Sequence, residues 1–196
     1  MNVKCFLAKN RSTLSLILIL FAFRWSFADH YRVPTGSMLP TIQLGDHILT
    51  NKMAYDFKLP FSEISLTKTG EPARGDVMVF IYPKDESINF VKRVIGLPGE
   101  TIEIRSNCIH INGEPIFENY LTEEARNTVY EKDIRIEIPN DMYFVMGDNR
   151  ENSLDSRYWG LVPRKNVKGK ALGVLWNISF NRNIPEVDLL RTGKLL

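Results

Sequence analysis

Beyond residue 30 the apolar residues occur in short runs, many of them alternating with polar residues and bounded by turn-forming residues. A period of two is typical of β-strands that bury one face. The pattern therefore predicts a mainly β domain, with strands at residues 47–52, 76–82, 88–95, 101–105, 108–111, 134–138, 142–146 and 170–176. The dipeptide Asn112-Gly113 predicts a hairpin turn, because both residues tolerate the positive φ that tight hairpins require.

Two stretches between the predicted strands are polar and irregular, at residues 59–73 and 114–128. We interpret both as connections, and a short helix within either of them is the alternative. The chain contains no internal repeat and no low-complexity tract. At 196 residues, we expect the strands to belong to one catalytic domain.

The one long apolar run of the chain lies near its start, at residues 14–23. Taken from residue 12 to residue 28 it predicts a transmembrane helix about 26 Å long, slightly shorter than a hydrocarbon core of about 30 Å. Arg24 can extend its charged end to the lipid headgroups, and Trp25 beside it is typical of the membrane interface.

Basic residues precede this run, namely Lys4, Lys9 and Arg11. Such a flank predicts that residues 1–11 are cytoplasmic and that residues 29–196 form a domain on the far side of the membrane. A secretory signal peptide cleaved near Ala28 is the alternative. Under either interpretation, the domain that follows is exported across the membrane.

Composition and charge limit which partners and cofactors we expect for this protein. The chain has 196 residues and a formal net charge of +2, spread without a basic block, so we expect no nucleic-acid partner. The two cysteines, Cys5 and Cys108, cannot form a disulfide framework and are predicted to lie on opposite sides of the membrane. Their spacing predicts no metal site, and we expect no cofactor.

Ser37 stands in an unusual local sequence, Pro34-Thr35-Gly36-Ser37-Met38. Proline and glycine on either side of a serine favour a stiff, irregular backbone that can present the hydroxyl at a bend. A serine is a poor nucleophile without a base, so the base decides whether this serine is catalytic.

Lys92 is the best candidate for that base. In an extended strand it shares one face with Phe90 and Val94, and apolar neighbours disfavour the ammonium form and lower a lysine pKa. Arg93 cannot take this role, because a guanidinium keeps its proton. A triad with His30, His47 or His110 is the alternative, although none of these histidines stands in a sequence that predicts an oriented imidazole.

Five segments of this chain, taken in order, resemble the bacterial type I signal peptidases. They are residues 34–41, 45–46, 74–77, 92–99 and the polar loop 147–160, and they extend over most of the chain from residue 31 to about 176. The resemblance implies an antiparallel β-sheet serine endopeptidase, anchored by one helix, that removes signal peptides from exported preproteins.

By the matching positions, the resemblance implies roles for six residues. Ser37 would be the nucleophile and Lys92 the general base. Thr35 would join the backbone N–H of Ser37 in the oxyanion hole. Ser153 would orient the lysine amine, while Asp155 and Arg157 would form a supporting ion pair.

The resemblance also implies partners and a location. Substrates would carry small residues at the −1 and −3 positions, selected by apolar pockets around Met38 and the strand at residues 76–82. We expect a monomer in the inner (cytoplasmic) membrane, with its catalytic domain on the periplasmic side. Because the chain is short, extra subdomains should be missing.

Three other functions remain as alternatives. One is a specialised relative that processes a pilin or conjugation precursor, and another is a non-catalytic, membrane-tethered β module that binds extended peptides. The third, a self-cleaving repressor with a Ser-Lys pair, is disfavoured because too little chain precedes Ser37 for a DNA-binding domain.

Overall fold

The protein is described here by a computed structural model, which covers residues 10–16, 27–59, 62, 64–105, 108–130, 133–181 and 184–196. Its strands are β1 (Ala28–Arg32), β2 (Asp46–Asn51), β3 (Asp56–Lys58), β4 (Ser65–Lys68), β5 (Val77–Ile81), β6 (Asn89–Gly96), β7 (Thr101–Arg105), β8 (Cys108–Ile111), β9 (Glu114–Pro115), β10 (Ile134–Glu137), β11 (Met142–Met146), β12 (Val162–Pro163), β13 (Val167–Asn181) and β14 (Ile184–Asp188).

Helical structure in these residues is short. Residues 11–16 are helical, two single-turn α-helices span Glu123–Arg126 and Ser156–Trp159, and 3-10 turns span Lys52–Ala54, Arg150–Asn152 and Arg164–Asn166. The mainly β architecture predicted from the alternating pattern is therefore confirmed.

All strand pairs are antiparallel and form three sheets. The largest has eight strands in the order β1-β2-β13-β5-β6-β11-β12, with β14 added beside β13. A four-stranded sheet has the order β10-β7-β8-β9, and β3 and β4 form a separate hairpin. Strands β5 and β6 pair directly, with Met78 opposite Lys92.

The core explains why some strands alternate and others are apolar throughout. In β2 buried and half-buried residues alternate. In β5 successive residues enter different clusters, since Val77 and Val79 pack with Ile48 whereas Met78 and Phe80 pack with Val94. A strand covered on both faces has no solvated side, which accounts for its continuous apolar sequence.

The eight predicted strands are all present, and the structure adds strands that were not predicted, including β1 before them and β14 after them. Residues 59–73, predicted as a connection, contain β4, which pairs with β3. Residues 114–128 contain the short helix Glu123–Arg126, the alternative raised for that stretch. The hairpin turn is confirmed, with φ of 52° at Asn112 and 87° at Gly113 between β8 and β9.

The predicted transmembrane segment, residues 12–28, lies mostly outside the described residues, which omit 17–26. Among the residues that the structure does describe, no helix has the length and apolar character needed to cross a bilayer. Ala28, predicted as the last residue of that segment, is the first residue of β1. Cys5 also lies outside the described residues, and Cys108 is a half-buried free thiol.

Ile48 provides a test of the core beneath β1, β2 and β13. Its side chain is fully buried, whereas Ile64 is 62% exposed. We expect Ile48→Ala to lower the free energy of unfolding by about 2–5 kcal/mol, because it removes buried methyl groups and leaves a cavity. The matched change Ile64→Ala should cost less than about 0.5 kcal/mol. Urea unfolding of both variants measures the difference, and equal losses would contradict this description of the core.

Candidate active site

Ser37 lies in the irregular segment between β1 and β2. Two neighbours fix this segment to the core, since Met38 and Ile42 are fully buried and the N–H of Ile42 donates to the carbonyl of Met38 at 2.9 Å. Thr35 Oγ1 lies 3.4 Å from Ser37 Oγ. The apolar residues after the serine therefore hold a short polar stretch at the edge of the core.

Lys92 extends from β6 toward this segment. Its Nζ lies 2.5 Å from Ser37 Oγ and donates to the carbonyl of Val91 at 3.1 Å. The side chain is only 4% exposed, and Nζ lies 5.2 Å from the centroid of the Phe90 ring. The structure thus brings the predicted nucleophile and the predicted base into contact.

The surroundings change the acidity of this amine. Burial lowers the pKa of Lys92 from 10.5 to about 8, because an apolar environment disfavours the ammonium form. The carboxylates of Asp155 and Asp148 act in the opposite direction, and Arg157 adds to the lowering. Burial is the largest of these effects, so the neutral amine is much more populated near physiological pH than it would be for an exposed lysine.

Asp155 and Arg157 form a buried ion pair behind the site. Arg157 Nε and Nη2 each donate to the Asp155 carboxylate at 2.8 Å, and Asp155 is fully buried. The same carboxylate accepts the backbone N–H of Gly147 at 3.0 Å. This pair therefore connects the start and the end of the polar loop that follows β11.

Ser153 lies close to both Gly147 and the Ser37 segment. A Cβ atom at position 147 would come within 2.2 Å of Ser153 Oγ and 2.3 Å of the Ser37 carbonyl oxygen, so only glycine fits there. The hydroxyl of Ser153 is buried and has no hydrogen-bond partner in the described part of the chain. The amine of Lys92 instead contacts Ser37 and Val91.

Two neighbouring residues of the polar loop, Asp148 and Asn149, hold the segment that carries Ser37, and neither was assigned a role from the sequence. The backbone N–H of Asn149 donates to the Ser37 carbonyl at 3.1 Å, and its side-chain amide donates to the Gly36 carbonyl at 3.0 Å. Asp148, fully buried, accepts from Thr41 Oγ1 at 2.6 Å and pairs with Arg93 at 2.8 and 2.6 Å. Their position directly after an apolar strand was the indication in the sequence that these two residues belong to a structured loop.

A second buried ion pair joins the polar loop to the stretch predicted as a plain connection. Arg150 Nη1 donates to Glu118 at 2.7 Å and Nη2 at 2.5 Å, with side chains only 1% and 9% exposed. The hydroxyl of Tyr120 donates to the same carboxylate, and the Arg93 guanidinium lies 4.0 Å from the Tyr120 ring centroid. No local motif marks Glu118, because its partner is 32 residues away.

A cleft of about 690 Å³ opens beside Ser37 and Lys92. One wall comes from residues 31–38, the other from residues 87–92, and Asn149, Asn152 and Leu154 complete it. The expected apolar pockets are present in part, since Met38 lines the cleft but the strand at residues 76–82 does not. Residues 77–80 are buried on both faces of the sheet and do not line the cleft. Met38 is fully buried and contributes only to the floor of the cleft.

The three histidines lie elsewhere. His30 and His47 stack near Trp176, with the His47 and Trp176 ring centroids 5.2 Å apart, and His110 belongs to β8 in the smaller sheet. None of them is among the described residues that line the cleft. Within the described ranges, no group of three or more His, Cys, Asp or Glu side chains could hold a metal ion.

An alcohol in contact with a buried, partly neutral amine at the side of a cleft has the geometry of a nucleophile and its general base. Such a pair can attack an acyl carbon and transfer the proton to the leaving group. The class of site is therefore that of a serine hydrolase that uses lysine in place of histidine.

The comparisons with known proteins agree with this class. Residues 7–176 match the family described as signal peptidase, peptidase S26. Signal peptidase I of Pseudomonas aeruginosa is 38% identical over 199 aligned positions, which include 84% of this chain and 70% of the relative. Signal peptidase I of Leptolyngbya laminosa is 36% identical over 173 positions, 85% of this chain and 77% of the relative.

A solved structure, that of a signal peptidase I from Enterococcus faecalis V583, is 38% identical and covers 51% of this chain and 96% of its own, with a TM-score of 0.46. The family match over residues 7–176 and the Pseudomonas relative show that the chain belongs to the signal peptidase S26 family of peptidases. The alignment with the Pseudomonas relative has 199 positions but includes only 84% of the 196 residues of this chain. Some positions are therefore gaps in this chain, and the relative carries segments there that have no counterpart.

Glu118 gives a test of the ion pairs around the site. Glu118→Ala leaves the Arg150 guanidinium buried without its carboxylate, and we expect it to lower the free energy of unfolding by about 3–5 kcal/mol. The matched change Glu114→Ala alters an exposed residue of β9 and should have little effect. Chemical denaturation of both variants measures the losses. A Glu118→Ala loss as small as that of Glu114→Ala would contradict the proposed importance of this pair.

Proposed function

We propose that this protein is a membrane-anchored serine endopeptidase that removes N-terminal signal peptides from exported preproteins by a Ser-Lys mechanism. Ser37 is the nucleophile and Lys92 is the general base. The observation that carries the proposal is the 2.5 Å contact between Lys92 Nζ and Ser37 Oγ, made by a lysine that is 4% exposed. Membership of the signal peptidase family supports the same substrate class.

The reaction begins when the neutral amine of Lys92 accepts the hydroxyl proton of Ser37. The Ser37 oxygen then bonds to the scissile carbonyl carbon, and the resulting ammonium returns the proton to the leaving amine as the peptide bond breaks. This step leaves an acyl-enzyme. Lys92, neutral again, takes a proton from a water molecule as the water oxygen bonds to the acyl carbon, and the ammonium returns this proton to the Ser37 oxygen as the ester bond breaks.

Thr35 and the backbone N–H of Ser37 stabilise the negative charge that develops on the carbonyl oxygen. The Thr35 hydroxyl lies 3.4 Å from Ser37 Oγ, which puts a donor beside the atom that attacks. A donor aimed at a developing oxyanion contributes typically about 10²–10³-fold in rate.

Ser153, Asp155 and Arg157 support the amine without touching the substrate. The buried Ser153 hydroxyl, which lacks a hydrogen-bond partner among the described residues, is available to orient the Lys92 amine. Arg157 neutralises Asp155, so that the carboxylate attracts the lysine proton less strongly. The ion pair thereby limits the rise in the pKa of Lys92 that an unpaired carboxylate would cause.

The substrate binds as an extended chain in the cleft between residues 31–38 and 87–92. The walls are mainly apolar, with Val33, Phe90 and Val91 among the lining residues. Short side chains at the −1 and −3 positions would fit against these walls, while larger ones would meet the buried floor at Met38.

For the location, we propose the inner membrane. Residues 12–28 would be a single-pass anchor, residues 1–11 its cytoplasmic tail, and residues 29–196 a monomeric catalytic domain on the periplasmic side. The apolar run with its basic flank supports this arrangement. Carbonate extraction of membranes, with sequencing of the mature N-terminus, distinguishes an anchor from a signal peptide cleaved near Ala28.

Substitution of the two reacting groups tests the mechanism. Ser37→Ala and Lys92→Ala should each lower preprotein cleavage by roughly 10⁴-fold or more, because neither group works alone. Lys92→Arg should fail as completely, since guanidinium keeps its proton. The control variants Lys84→Ala and Lys84→Arg alter an exposed lysine outside the cleft.

The assay incubates each purified variant with a model preprotein and sequences the new N-terminus. A penem that acylates active-site serines should label the wild-type protein and Lys84→Ala but not Ser37→Ala. Appreciable cleavage by Ser37→Ala, or by either Lys92 variant, would exclude the mechanism.

The pH dependence of cleavage tests the state of the amine. The active form is the neutral one, so kcat/KM should rise with pH, with a midpoint near the pKa of about 8, and level off above it. Below the midpoint most of the enzyme carries the inactive ammonium. The measurement uses a peptide substrate without groups that titrate in this range. A rate that is constant from about pH 6 to pH 10 would contradict a lysine base.

A further inference from the structure

The last residues of the chain pack against the segment that follows Ser37. We define the C-terminal tail as residues 189–196, which lie beyond residue 176, where the family match ends. Backbone hydrogen bonds attach the tail to β13, from the N–H of Gly193 to the carbonyl of Val174 at 2.9 Å and from the N–H of Val174 to the carbonyl of Lys194 at 3.0 Å. Leu196 packs against the core cluster that contains Met38.

Among the tail residues, Arg191 makes the most hydrogen bonds to residues 40–46, which follow Ser37. Its Nε and Nη2 donate to the Asp46 carboxylate at 3.0 and 2.8 Å, and Nη2 also donates to the Thr41 carbonyl at 3.3 Å. Lys194 Nζ adds a contact to the Pro40 carbonyl at 3.4 Å. All three acceptors lie in residues 40–46, directly after the turn that carries Ser37.

Asp46, the main partner of Arg191, is a buried carboxylate that needs both hydrogen-bond donors and a counter-charge. It is fully buried, and besides Arg191 it accepts from Asn177 Nδ2 at 2.8 Å and from the backbone N–H of Gln43 at 2.7 Å. Burial alone would raise the pKa of this carboxyl, but the bonds from Arg191, Gln43 and Asn177 bring it below its ordinary value. Arg191 is the cation in this set, so its removal leaves a buried carboxylate without a counter-charge.

The opposite side of the same segment is held by the polar loop. Thr41 Oγ1 donates to Asp148 at 2.6 Å, and Asp148 pairs with Arg93, the residue next to Lys92. Residues 40–46 are therefore bonded both to the tail and, through Asp148 and Arg93, to the strand that carries Lys92. Without Arg191, the backbone bonds to β13 would still hold the tail, but the guanidinium contacts to residues 41 and 46 would be lost.

We infer that Arg191 is a positioning residue, which holds residues 40–46 in place and thereby keeps Ser37 Oγ within reach of Lys92 Nζ. This inference rests on the proposed Ser-Lys mechanism. A misplacement of about 1 Å at a reacting atom can cost about 100-fold in rate. The loss should appear in kcat and in the rate of Ser37 acylation, because Arg191 is not among the residues that line the cleft.

The test compares the full-length wild-type protein with Arg191→Ala, Arg191→Lys and the control Arg135→Ala, which alters an arginine that is 70% exposed in the smaller sheet. Titration with the penem gives the concentration of functional sites, and all rates are expressed per site. Arg191→Ala should lower kcat and the acylation rate by roughly 10- to 100-fold with KM nearly unchanged. Arg191→Lys should fall in between, because an ammonium keeps the charge but not the planar fork.

Low-millimolar guanidinium supplies the decisive measurement. It should restore part of the acylation rate of Arg191→Ala and leave Arg135→Ala unchanged, an effect that general destabilisation does not produce. If Arg191→Ala does not fold, Arg191→Lys is judged by the same per-site rates. A per-site rate equal to that of Arg135→Ala, or no response to guanidinium, would overturn the inference. A wild-type protein that neither cleaves the preprotein nor reacts with the penem would instead overturn the proposed function.

Discussion

Burial of one amine against one hydroxyl is the constraint on which the site depends. A lysine ammonium is strongly hydrated, and moving it out of water is unfavourable unless a counter-ion replaces the water. At Lys92 desolvation exceeds the attraction of the nearby carboxylates, so the amine loses its proton more readily than an exposed lysine. The proximity of Ser37 Oγ then gives the lone pair a proton to accept.

The arginines around this amine explain why the carboxylates do not reverse the effect. Asp148 is paired with Arg93 and Asp155 with Arg157, both through contacts of 2.8 Å or less. Arg157 offsets part of the attraction that Asp155 and Asp148 exert on the lysine proton, and burial outweighs the remainder. A guanidinium does not lose its proton in proteins, so each pair retains its cation while the lysine titrates.

The fold was largely readable from the sequence because period-two alternation and turn residues are local properties. Strands β2, β8 and β10 follow from alternation, and the β8–β9 turn follows from Asn112-Gly113. The hairpin β3–β4 was missed because β4 is exposed along its whole length and shows no apolar face. A strand without a buried face leaves no hydrophobic pattern in the sequence.

The residues of the site likewise fall into those that the local sequence identifies and those that it does not. Ser37 and Lys92 were identified because each stands in a distinctive local sequence. Glu118 and Arg191 were missed, since their partners Arg150 and Asp46 are 32 and 145 residues away and nothing local distinguishes them from surface charges. The strand at residues 76–82 was expected to line the substrate pocket and does not, because a strand that is apolar throughout can be covered on both faces.

Strand β1 has a consequence for where a substrate can be cut. It begins at Ala28, at the end of the predicted membrane segment, and the cleft is already lined by Tyr31 and Arg32. At about 3.3 Å per residue, the strand separates the two by roughly 10–15 Å. Since β1 is bonded along its length to β2, this separation cannot stretch or shrink as it would in a flexible linker. With the proposed anchor at residues 12–28, the distance from the end of that segment to the cleft would therefore be fixed by the sheet.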